Sequence, residues 1–123
     1  MDTNHLAGIL FFVKKQMLIL YKHNGTIDIP KGHIQQGEMP VEALKRELKE
    51  ETQINLQVDP RMLGVKQLEA DKKFYMFVHQ QNNHPEVITS HEHQSYDFIN
   101  LKDLRTDLMW TPTLQFLRKL VEK

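Results

Sequence analysis

The chain of 123 residues contains no cysteine. That excludes a disulfide framework and any thiolate metal centre, and it fits a reducing compartment, so a cytoplasmic location is expected. An excess of charge is also missing, since sixteen Lys and Arg balance sixteen Asp and Glu. A neutral chain exerts no global pull on nucleic acid or on an anionic membrane, so any anion must be bound by a local cluster. Long apolar runs are missing as well. The longest, Leu6 to Val13, falls well short of the roughly 20 residues that cross a bilayer. No basic segment precedes it, which argues against a leader peptide. Internal repeats, low-complexity tracts and linkers are absent. What remains is 40% hydrophobic, enough for one core, and residues 1–123 are expected to form a single domain.

Ile, Phe and Val dominate Leu6 to Val13, which reads as a buried strand. The short polar break Lys14-Lys15-Gln16 makes Met17 to Lys22 its hairpin partner, ended by His23-Asn24-Gly25. Ile27 to Pro30 reads as a short extended piece. Leu56 to Ala70 reads as two strand-like pieces around Asp59-Pro60. In Lys73 to His79 the residues Phe74, Met76 and Val78 alternate with Tyr75 and Phe77, a strand pattern. A polar loop is expected over Gln80 to Glu86, and a last strand over Ser95 to Asn100. Thr111-Pro112 reads as a helix start capped by a hydroxyl, and Leu114, Leu117, Leu120 and Val121 repeat at helical spacing to the chain end. Trp110 and Phe116 read as core. Strands and helices are mixed, so the fold class is α+β.

One stretch stands apart from this scaffold. From Pro40 onward the sequence is helical, and Glu47, Glu50 and Glu51 share a face because residues three and four apart are neighbours. Val41, Leu44 and Leu48 mark the buried side. Three carboxylates on one rigid face repel each other unless a positive group lies among them. Arg46 relieves part of that through an i,i+4 contact with Glu50, and a hard divalent cation with oxygen ligands would relieve more. A passive, solvated helix face is the commoner cause of such a composition; the spacing upstream separates the two readings.

Gly32 lies six residues before Glu38, Glu38 lies eight before Arg46, and Arg46-Glu47-Leu48-Lys49-Glu50-Glu51 follows, closed by Ile54. This resembles the Nudix box, Gly-x5-Glu-x7-Arg-Glu-U-x-Glu-Glu-x-Gly-U with U apolar. Only Gln53 departs, where the box has Gly. The resemblance implies a Nudix-type α/β/α sandwich around a mixed central sheet, and an enzyme that hydrolyses a nucleoside diphosphate linked to another group. It implies Mg²⁺ as cofactor, with Mn²⁺ as a substitute, held by Glu47, Glu50, Glu51 and the carbonyl of Gly32. Arg46 is then expected to orient a glutamate, and Glu38 to reach back to Arg46 or to the helix.

A second signature narrows the family. Pro30-Lys31-Gly32-His33 opens the box, and Ser90-His91-Glu92-His93-Gln94-Ser95-Tyr96 begins fifteen residues after Tyr75. Both runs resemble the asymmetric diadenosine tetraphosphate hydrolases, which cut that dinucleotide into ATP and AMP. The resemblance implies phosphate contacts from Lys31, His33, His91 and His93, adenine stacking on Tyr75, and a metal-ligand or general-base role for Glu92. No histidine spacing here resembles a structural zinc module. An aromatic that this subset carries just before Pro-Lys-Gly-His is replaced by Ile27, Asp28 and Ile29. Other Nudix substrates remain open: RNA 5′ ends, modified nucleotides and diphosphoinositol phosphates. So does a binding module that senses a nucleotide without cutting it, although such modules lose metal-site glutamates that this chain keeps. The expected partner is a small nucleotide, with no membrane, no nucleic acid beyond an RNA 5′ end, and a monomeric chain.

Overall fold

The computed structural model describes residues 4–121. The first three residues, part of the segment read as lacking a leader, lie outside the described residues, as do the last two, into which the C-terminal helix was expected to run. The sheet is built on β1 (Leu6–Val13), which is buried along its whole length. It turns through Lys14, in the left-handed region at φ 55°, into β2 (Gln16–Tyr21). The two strands pair only at Phe12↔Met17 and Val13↔Gln16 and then part. The chain enters the gap between them. β3 (Ile27–Asp28) pairs with β2, and β4 (Lys31–His33) pairs with the first half of β1. Pro30 joins the two, and its carbonyl accepts the Ile9 N–H at 3.1 Å. On the other edge of β1 lies β6 (Lys72–Gln81), parallel to it from Leu6↔Phe74 to Val13↔Gln81, with β5 (Arg61–Glu69) antiparallel outside. β7 (Ser95–Asn100) pairs with the whole length of β2.

Each face of this seven-stranded mixed sheet carries one core and one helix. Ile9, Phe11, Leu18 and Leu20 pack under α1 (Pro40–Thr52) through Ala43, Leu44 and Leu48. Leu10, Phe12, Phe74 and Met76 pack under α2 (Thr111–Val121) through Phe116 and Leu117. The expected α/β/α sandwich is therefore the one found. Alternation along β6 assigns its side chains: Phe74 and Met76 join the α2 side, whereas Tyr75 and Phe77 join the α1 side.

Several boundaries differ from the sequence reading. Leu56 to Val58 is not a strand. Ile54 and Leu56 are buried under α1 while the chain between them stays irregular, and only the stretch after Pro60 pairs. β6 takes in Gln80 and Gln81, since Phe12 and Val13 of β1 offer them partners. Val41 is only half-buried, and Val121 is exposed on the outer face of α2. Trp110 is 41% exposed and not core, whereas Phe116 is buried as expected. The Leu114 N–H bonds to the Trp110 carbonyl at 3.1 Å, so Trp110 stands in the cap position expected for Thr111. Gln53 ends α1 at φ 65°, the left-handed geometry that a glycine would adopt there, and its N–H bonds to the Lys49 carbonyl at 2.9 Å.

Candidate active site

The start of α1 is set by Pro40 in the first turn and by the Met39 N–H, which donates to the Glu42 carboxylate at 2.7 Å. With Leu44 and Leu48 fixed against β1, Glu47 and Glu51 point at β4, one turn apart on the same side. Gly32 is what permits this approach. A Cβ built at that position would overlap the Glu47 carboxylate, so any side chain there would force that carboxylate aside.

Arg46 holds the outer part of the helix face together. It bonds Glu38 at 2.7 and 3.0 Å, Glu47 at 2.9 Å, Glu50 at 3.0 and 3.2 Å, and the His33 carbonyl at 2.9 Å. Glu38 also accepts the Gln35 N–H at 2.8 Å, so it ties the loop to the helix as expected. Arg46 keeps the Glu38 carboxyl below its ordinary value by this hydrogen bonding. Among the described residues, no group of three acidic or histidine side chains forms a ready-made ion cage. Glu50 is half-exposed, so its side chain can turn without disturbing the core.

The inner carboxylates are electrostatically strained. Burial pushes Glu51 up to about 9, and the neighbouring Glu47 and Asp28 charges add to the shift against the Lys31 N–H, which donates to Glu51 Oε1 at 3.2 Å. Burial also raises Glu47; Arg46 opposes the shift, while Glu50 and Glu92 reinforce it. Asp28 behaves in the opposite way. Burial works to raise it, but the hydrogen bond with His93 and the Lys31 charge outweigh that and hold it below the ordinary carboxylate value. Its two oxygens bridge His93 Nε2 and Lys31 Nζ, each at 3.2 Å. An ionised carboxylate only accepts, so Nε2 carries the proton, and His93 Nδ1 is left buried without a protein partner.

These groups line two adjoining hollows. One, of about 410 Å³, contains Gly32, Glu47, Glu51, Glu92 and His93. The other, of about 490 Å³, contains Ile27, Lys72, Met109 and Trp110. Leu6, Lys22, Asp28, Lys31 and His33 line both, so the two are halves of one cleft, with the glutamates at one end, Trp110 at the other, and Lys22, Lys31 and His33 between. Lys31, His33, Glu92 and His93 of the sequence-derived set thus meet in it. His91 lines neither half; its carbonyl accepts from His23 Nε2 at 3.0 Å. Tyr75 lines neither half and stands edge-on to His5 at 6.2 Å on the α1 side of the sheet. The sequence reading missed Asp28, Trp110, Lys22 and Lys72. Only Asp28 left a signal, a carboxylate three residues before Lys31.

The sequence matches the NUDIX domain profile over residues 4–120. Among solved structures, a C. elegans Ap4A hydrolase binary complex is 26% identical, with 95% of this chain and 96% of that chain covered and a TM-score of 0.78. The MutT protein of Methanosarcina mazei Go1 is 24% identical, with 96% and 93% covered and a TM-score of 0.73. The E. coli dihydroneopterin triphosphate pyrophosphohydrolase is 13% identical, with 99% and 98% covered and a TM-score of 0.78. At these identities the last two speak to the fold alone. No protein of curated function matches the sequence.

Proposed function

The chain belongs to the NUDIX domain family, and from that premise we propose that it is a pyrophosphohydrolase of nucleoside polyphosphates whose preferred substrate is diadenosine tetraphosphate, cut into ATP and AMP. The observation that carries this is the single cleft in which Glu47, Glu51 and Glu92 at one end adjoin Lys22 and Lys31, which line both halves, and Lys72 at the other end. A phosphoanhydride is densely anionic and kinetically inert, so its hydrolysis requires neutralised oxygens, a positioned water and an acceptor for that water's proton.

The donor set at the acidic end suits a hard divalent cation. It is all oxygen, and burial has raised both Glu47 and Glu51 even though Arg46 and Lys31 oppose the shift. Glu47, Glu51, the half-exposed Glu50 and the Gly32 carbonyl would hold Mg²⁺ or Mn²⁺. Such an ion, when bound, neutralises phosphate oxygens and makes water more acidic. The chain itself supplies the rest. Arg46 fixes the Glu47 carboxylate from outside the cleft. Lys31, held by Asp28, presents its ammonium to the phosphate chain, and exposed Glu92 accepts the proton of the attacking water.

The test is hydrolysis of a panel of diadenosine tetraphosphate, modified nucleoside triphosphates, capped RNA and diphosphoinositol phosphates with Mg²⁺, with products separated by chromatography. ATP and AMP in equal amounts support the proposal. Good turnover of RNA ends beside none of the dinucleotide would overturn the substrate assignment and leave only the family.

A further inference from the structure

The cleft lies at the Leu6 end of β1, and the Phe12 end carries a second concavity that the proposed hydrolysis does not use. Two hollows, of about 410 and 510 Å³, adjoin there and share Phe12 and Leu101. Leu120 and Val121, at the end of α2, form one wall. Phe12 lies on the same face of the sheet as Leu6. At about 3.3 Å per residue along the strand the two ends are roughly 20 Å apart, so groove and cleft are separate. The charge around the groove has one sign. Lys14 and Arg61 line one hollow and Lys15 and Lys102 the other, and among the described residues no Asp or Glu lines either. All four cations are exposed, and none of them makes an ion pair among the described residues. In a chain of zero net charge this is a local surplus that attracts anions. The backbone of Lys14 is already satisfied. Its N–H donates to the Gln81 carbonyl at 2.9 Å, and its carbonyl accepts from Gln80 Nε2 at 3.3 Å, so recognition falls to its side chain.

We infer that this groove docks an acidic segment of a partner protein, with one aliphatic side chain seated over Phe12 and Leu101 and carboxylates on both sides of it meeting the four cations. The lining selects this occupant over others of the same charge. A fatty acid fills an apolar recess but brings one carboxylate, whereas the cations are spread over two hollows. A nucleic-acid strand answers the cations but has no aliphatic group for the recess. An anionic membrane takes up apolar groups that protrude, and here Phe12 is buried while Leu101 and Leu120 are half-buried. A peptide alternating acidic and aliphatic residues meets both requirements. Because exposed charges supply the attraction, the contact weakens as salt screens them.

The test is selection of a random nonapeptide display library on the whole wild-type protein, followed by fluorescence anisotropy with a labelled synthetic peptide of the enriched sequence. Enriched sequences should place an aliphatic residue between acidic ones. The peptide should bind saturably, and roughly tenfold more weakly at about 0.5 M than at about 0.05 M NaCl. Changing its acids to amides, or its aliphatic residue to serine, should each weaken binding roughly tenfold. The double variant Lys14→Glu with Arg61→Glu should lose roughly tenfold or more, as should Val121→Glu, which sets a charge in the apolar wall. All three positions are exposed, which keeps these changes out of the core. No enriched sequence, or a peptide that binds the charge-reversed protein as tightly as wild type, overturns the inference. So does tighter binding of decanoate, a short single-stranded oligonucleotide or phosphatidylserine vesicles than of the peptide. None of these measurements involves the cleft, so they stand whatever the substrate panel shows.

Discussion

Replacing Glu51 by glutamine should stabilise the metal-free protein. Glu51 is 5% exposed, and its carboxyl rises from an ordinary 4.5 to about 9. For a raised carboxyl, stability is fully present below the unfolded value and is lost as pH climbs through the folded value, so the relevant window runs from pH 4.5 to about 9. At pH 7 the native protein must keep a proton that the unfolded chain has released, which costs about 3 kcal/mol at 1.36 kcal/mol per unit. Glutamine has the same shape, keeps an oxygen for the Lys31 N–H, and carries no charge. Urea unfolding in chelator should therefore find Glu51→Gln more stable by about 2–3 kcal/mol at pH 7, with the gap shrinking toward pH 5 and widening toward pH 9. Millimolar Mg²⁺ should reverse the order, since only the native wild-type site gains from binding. A variant less stable than wild type in chelator, or a gap that ignores pH, would refute the electrostatic account of the site.

Other substitutions separate the parts of the cleft. Glu50→Gln should reduce turnover by several orders of magnitude and leave the urea midpoint nearly unchanged, because the side chain is half-exposed; wild-type turnover with Mg²⁺ would remove Glu50 from the catalytic set. Gly32→Ala should sharply reduce turnover and change the urea midpoint little, as the new methyl displaces only the flexible Glu47 carboxylate. Gln53→Gly should raise stability by about 0.5–1 kcal/mol by relieving its positive φ, measured by the same unfolding assay. Asp28→Asn should raise KM more than it lowers kcat, as Lys31 and His93 lose the carboxylate between them.

The parts legible in the sequence are those with a local cause. β1 and β7 have the bounds that their apolar and alternating patterns suggested, and α1 begins at Pro40. The glutamates could be placed on one helix face because helical spacing is local. Pairings between distant residues were not legible. Asp28 meets His93 across 65 residues, and no pattern at either position signals it. Trp110 was read as core because large aromatics usually are. It stands exposed where the 3₁₀ turn Thr106–Leu108 carries the chain along the cleft, and the preceding Met109 is buried. Leu56 was read into a strand-like piece before Asp59-Pro60, yet burial of Ile54 and Leu56 needs only a core beneath the chain and not a strand beside it.

The most direct measurement is hydrolysis of diadenosine tetraphosphate by the wild-type protein with Mg²⁺ in oxygen-18 water. The account predicts equal amounts of ATP and AMP with the label in AMP, since the nucleoside beside the carboxylates is the one released. Two ADP per substrate, label in ATP, or no hydrolysis under conditions where another nucleotide is turned over would contradict it.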